Sequence, residues 1–127
     1  MDNNKKRPVY LNLFLIRLPV AGVVSILHRV SGVALVLFLP LTLLALQRSL
    51  QSADAYQAVV DGLSWMPVRV LLLLLAAAFA HHFYAGIRHL LLDVDIGISR
   101  SQARLSAWLV LVGTAVTGVL VGLGWLL

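Results

Sequence analysis

"VLLLLLAAAFAHHFYAGIRHLLLD", residues 70–93, decides the fold. Its first eleven residues carry no charge, and its last thirteen hold three histidines, an arginine and an aspartate. With Pro67 just ahead, a residue suited to a first helical turn, the stretch is long enough to cross a bilayer as a helix, which takes about 20 residues. Two further apolar runs of that length flank it. The chain is therefore expected to be an all-α membrane protein with three transmembrane helices, at about 25–46, 67–92 and 105–127, in a single membrane-anchor domain over 1–127. Residues 1–24 form a cytoplasmic or interfacial lead-in, retained rather than cleaved, because Asn12, Arg17 and Pro19 break its apolar stretch and no convincing small-residue cleavage site follows.

Composition agrees. Of 127 residues, 61% are hydrophobic and 12% charged, with mean hydropathy +0.95; soluble domains average roughly 45–50% apolar and 25% charged. The absence of cysteine excludes disulfides, thiolate metal sites and cysteine nucleophiles. A net charge of +5 could suggest nucleic acid, but the basic residues flank apolar runs instead of forming a patch, so no nucleic-acid role is expected. The charge reads as orientation. Lys5, Lys6, Arg7, Arg17 and Arg29 lie at the N-terminal flank, and Arg88, Arg100 and Arg104 at the second connection, against Arg48 and Arg69 on the other side. The positive-inside rule then puts the N-terminus in the cytoplasm and the C-terminus outside. The connections between spans are expected to be short and polar, Pro40 to kink or wedge the first helix, and "GVLVG" (118–122) offers a GxxxG pattern for close helix approach.

Ionisable groups within spans cost about 2.5–3.5 kcal/mol at mid-helix and mark functional candidates. In "SILHRVSG" (25–32), Ser25, His28, Arg29 and Gly32 follow i, i+3, i+4, i+7 spacing and share one face. Placed in the first turn, they sit at the membrane edge. His82 lies about 15 Å from the end of the second span, at 1.5 Å per residue, and is close to mid-bilayer. A neutral imidazole at that depth needs a metal or a hydrogen-bond partner. His82, Gly86, His89 and Asp93 form one stripe, with Gly86 leaving room for a flat macrocycle; His81 and Arg88 fall on an adjacent face. Such an arrangement suits axial ligation of a haem, a quinone pocket, or a proton relay in a transporter; the plain structural alternative is hydrogen bonding between helices. No HExxH helix, phosphate loop or serine nucleophile pattern occurs. Were a haem held by two histidines, His28 at the rim would lie too far from His82 in depth, and a partner chain would supply the second ligand.

"RPVYLNL" (7–13), "SILHRVSG" and "HFYAGIRHLLLD" (82–93) together resemble the cytochrome b subunit of succinate dehydrogenase, the larger membrane anchor, in its proteobacterial form. The resemblance covers nearly the whole chain. It implies that His82 is the axial ligand of a haem b shared with a second small anchor subunit, which brings the other histidine and packs with this chain into a helical bundle. It implies that Ser25, Ile26 and Arg29 border the site where ubiquinone is reduced, and that His28, Arg29, Gly86 and His89 belong to the haem pocket and its propionates. The chain would hold no catalytic residue and no succinate site. An iron–sulfur subunit and a flavoprotein subunit would carry the clusters and FAD, in the cytoplasmic membrane of a bacterium ahead of a mitochondrial inner membrane. The competing expectations are a haem-free anchor of a fumarate reductase-type complex and a small transporter subunit with a histidine relay.

Overall fold

A computed structural model describes residues 18–126 and consists, within them, of four helices: α1 (Val20–Ser49), α2 (Ala53–Ser64), α3 (Met66–Asp93) and α4 (Arg100–Leu126). The "RPVYLNL" motif, Lys5, Lys6, Arg7 and Arg17 lie outside the described residues. Helices α1, α3 and α4 are each long and apolar enough to cross a membrane. The chain is thus an all-α membrane protein.

Extended backbone at Pro19 (φ −64°, ψ 151°) launches α1. Its carbonyl accepts from the Gly22 and Val23 N–H groups at 2.8 and 3.2 Å. The helix therefore starts five residues ahead of the expected first turn, and "SILHRVSG" lies inside it. Pro40 is also internal; α1 continues through it to Ser49.

The connection expected to be merely polar contains α2 instead. Ser52 caps it, its side chain accepting from the Ala55 N–H at 3.1 Å. Asp54 in the first turn favours the positive helix end. Its Val59, Val60 and Leu63 line a cavity shared with α1 and α3, while Gln57 donates to Asp61 at 2.9 Å on the exposed side. An apolar stripe of a few residues facing the bundle accounts for a helix here. Trp65, extended at φ −65° and ψ 129°, both ends α2 and starts α3, with Pro67 in the first turn.

At the other end α3 closes in a Schellman motif. The Ile96 N–H reaches the Leu91 carbonyl at 2.9 Å and the Asp95 N–H the Leu92 carbonyl at 3.1 Å. The motif needs a left-handed residue, here Asp95 at φ 62°. Aspartate tolerates this conformation less well than glycine. Asp95→Gly is expected to stabilise the chain by about 1 kcal/mol, read as a raised thermal midpoint in detergent; an unchanged or lowered midpoint would contradict the strain. Ser99 then opens α4, accepting the Gln102 N–H through its hydroxyl oxygen at 3.4 Å and donating to the Gln102 side-chain oxygen at 2.8 Å.

Small residues make the core. Val24, Ala85, Ala107 and Val110 are buried where α1, α3 and α4 meet, packed by Val20, Ala21, Tyr84 and Leu111. In lipid, helix association depends on close backbone approach, because apolar surface gains nothing by leaving lipid tails. Gly113, Gly118 and Gly122 of α4 face Tyr84, Ala77 and Leu73 of α3 in that order. The GxxxG pattern therefore serves an interface within the chain. Large apolar side chains such as Val33, Val36 and Leu37 point outward, more than 60% exposed.

Candidate functional site

Helix α3 presents two polar faces, one turned chiefly to α4 and the other to α1. The first meets α4. His81, 5% exposed, places Nε2 3.4 Å from the Val24 carbonyl and Nδ1 3.3 Å from the Thr114 hydroxyl. One turn on, the Tyr84 hydroxyl pairs with Thr117 at 3.0 Å. Arg88, 6% exposed, donates through Nε to Ser106 at 3.0 Å and through Nη2 to the Ala103 carbonyl at 3.2 Å. No buried side-chain polar atom among the described residues lacks a partner. The His81–Tyr84–Arg88 row is a polar seam, and both nitrogens of His81 are turned into it. Thr114, Thr117 and Ser106 were not singled out in the sequence. Their spacing against the α4 glycines is the one signal that could have found them.

The second face meets α1 and holds a histidine cluster. The His28 and His82 rings stack with centroids 4.2 Å apart and planes 10° apart. His89 sets its edge on His28 at 5.0 Å and 83°. The expected separation of His28 from His82 in depth is therefore not found. Starting α1 at Val20 carries His28 about 12 Å into the helix, and His82 lies about 16 Å from the end of the antiparallel α3, at 1.5 Å per residue. The two depths differ by only about 4 Å, and the rings meet.

Each ring rests on a glycine of the opposite helix. A Cβ added at Gly32 would stand 2.9 Å from His82 Cε1, and one at Gly86 would stand 3.5 Å from His28 Nε2. Both helices carry the same pattern, a histidine four residues before a glycine, in "HRVSG" and "HFYAG". Packed antiparallel, the two patterns interlock. Gly86 thus faces the His28 ring.

His82 Nδ1 lies 3.1 Å from the His28 carbonyl and 3.3 Å from Ser31 Oγ. A carbonyl only accepts, so Nδ1 carries the proton and the lone pair sits on Nε2. Histidines that bind metals have this form, with the second nitrogen tied to a carbonyl or carboxylate. The donor set fits one axial bond to a haem iron. Among the described residues no group of three or more His, Asp or Glu gathers as a metal cage. Of the other expected site residues, Ser25 is half-buried, and Ile26 and Arg29 are exposed on α1. A cavity of about 870 Å³ lies elsewhere, between the starts of α1 and α4, lined by Arg100, Arg104 and Trp108 among others. The histidines therefore sit in a helix seam and not in the main cavity.

Fold and site define a three-span helical membrane protein that offers a tautomer-fixed imidazole in the seam between its first and second spans. A family model described as the succinate dehydrogenase/fumarate reductase transmembrane subunit matches residues 3–121. The chain belongs to that family. It is 37% identical over 122 residues to the succinate dehydrogenase cytochrome b556 subunit of Coxiella burnetii, covering 94% of this chain and 96% of that protein. The subunit of the same name in Paracoccus denitrificans is 33% identical over 120 residues, covering 93% and 91%. A succinate dehydrogenase hydrophobic membrane anchor subunit of Halobacterium salinarum is 34% identical over 92 residues, covering 72% and 71%.

Proposed function

We propose that this chain is the haem b-bearing membrane anchor of a succinate:quinone oxidoreductase and forms part of its quinone-reducing site. The observation that carries the proposal is His82, whose Nδ1 is held by α1 and whose Nε2 keeps its lone pair. The cytochrome b556 names of the relatives support the cofactor. Bound haem supplies a one-electron redox centre beside the quinone. His82 would hold its iron through Nε2. His28 is stacked parallel to His82 at 4.2 Å, so its in-plane nitrogens are not disposed to oppose His82 across one iron, which supports a second ligand from a partner anchor. Gly86 and His89, with His28 and Arg29, border the haem edge.

Succinate oxidation in the partner flavoprotein releases two electrons, and quinone takes up two electrons and two protons to become quinol. Arg29 and Ser25 hold and polarise the quinone head, the guanidinium donating to one carbonyl oxygen, with Ile26 packing beside it. Exposure of Arg29 on α1 leaves it free to reach a substrate at a subunit boundary. The chain contributes no succinate-binding group. It acts within a complex of flavoprotein, iron–sulfur protein and two anchors, in the bacterial cytoplasmic membrane, as one anchor domain with spans near 25–46, 67–92 and 105–127. The lysine and arginine asymmetry supports a cytoplasmic N-terminus and an outward C-terminus, with the quinone site on the positive side.

Two measurements test this. A reduced-minus-oxidised optical spectrum of the purified complex is expected to contain a b-type haem band; its absence would favour a haem-free fumarate reductase-type anchor. Arg29→Gln is expected to lower quinone reduction by about 10²-fold, the loss of a charged donor worth about 2–3 kcal/mol, while succinate oxidation by an artificial dye persists. Equal loss of both activities would mean that Arg29 serves assembly instead.

A further inference from the structure

Four features of one helical turn of α1 converge on a single imidazole of α3. The His28 carbonyl and the Ser31 hydroxyl share the Nδ1–H of His82 at 3.1 and 3.3 Å. The His28 ring covers one face of the imidazole, and the missing side chain at Gly32 admits its edge. Ser31 is 5% exposed. It spends its own proton on the His28 carbonyl at 2.9 Å, so its oxygen lone pairs are what His82 meets.

The geometry points to Ser31 as a positioning residue that tunes the donor strength of His82, an inference resting on the assignment of His82 as the haem ligand. A second acceptor on Nδ1–H pushes electron density into the ring and makes Nε2 the stronger base. A stronger axial base favours ferric over ferrous iron and lowers the haem potential. The side-chain contacts of Ser31 are the His28 carbonyl and His82 Nδ1. It acts through His82 alone. Within "SILHRVSG", His28, Ser31 and Gly32 cradle an imidazole on another helix, while Arg29 is left exposed.

The test uses the intact complex purified with its partner subunits, and reads the haem by optical redox titration and by the low-spin ferric electron paramagnetic resonance spectrum. Ser31→Ala is expected to retain haem and raise its potential. Ser31→Cys, similar in volume but a weak acceptor, is expected to raise it less. Ser31→Thr keeps a hydroxyl able to bond the i−3 carbonyl and is expected to restore the parent potential. An unmoved potential and resonance spectrum in Ser31→Ala overturn the inference. Should Ser31→Ala lose its haem, an unmoved potential in Ser31→Cys overturns it equally. Failure of the underlying assignment looks different: His82→Ala would then keep the parent haem spectrum.

Discussion

His82→Ala is expected to abolish the low-spin haem b spectrum of the assembled complex, whereas His81→Ala leaves that spectrum in place and lowers stability. The two residues are adjacent and chemically identical, yet α3 turns them to different neighbours. His81 is buried between α1 and α4, with its nitrogens directed to Val24 and Thr114. Truncating it opens a cavity and removes the contacts to the Val24 carbonyl and the Thr114 hydroxyl, a cost of about 2–4 kcal/mol. His82 is half-buried on the α1 side, and only its Nδ1 is held. Its removal deletes the nitrogen proposed to hold the iron. Optical spectra and thermal midpoints of both variants check the division. A His82→Ala complex with the parent spectrum, or a His81→Ala complex that is stable but without haem, would reverse the assignment.

The second large effect concerns a residue with no side chain. Gly32→Ala is expected to cut haem content by about 10-fold, the scale typical when a ligand loses its orienting contacts, and to destabilise the chain by about 1–3 kcal/mol through overpacking. The new Cβ would stand 2.9 Å from His82 Cε1 and 3.3 Å from Nδ1. The imidazole is covered on one face by His28 and its Nδ1 is bonded to the backbone of the same turn, so it gives way only by losing those contacts. Either α1 and α3 separate or the ring swings off its acceptors. Gly86→Ala brings its Cβ only to 3.5 Å from His28, an ordinary contact, and is expected to disturb the α1–α3 packing less. Gly124→Ala meets nothing within 4 Å and serves as the control. Haem quantified per complex, with thermal unfolding of each variant, decides the order; Gly32→Ala behaving like Gly124→Ala would contradict the close seat.

Much of this molecule can be read in its sequence, and particular residues show where that stops. Hydropathy marks the three long helices, because covering a backbone in lipid depends on local composition and length. The helical period groups His82 with Gly86 and His89, and His81 with Arg88, because residues on one helix keep fixed angles to each other. Helix α2 escapes because its apolar stripe is only a few residues wide and its charges resemble those of a surface loop. The start of α1 escapes for a related reason: Arg29 suggests a membrane edge, and an edge suggests a first turn, but helices extend beyond the lipid they cross.

What the sequence by itself determined is an all-α membrane protein of three long spans, with imidazoles striped along the second. Which stripe faces which helix was decided only by tertiary structure. A helix can rotate about its axis without changing its own period, so neighbouring side chains about 100° apart are distinguished by what packs against them. Thr114 and Ser106 on α4 draw His81 and Arg88 to one side. On the other, Ser31 and Gly32 on α1, some fifty residues away in the chain, receive His82.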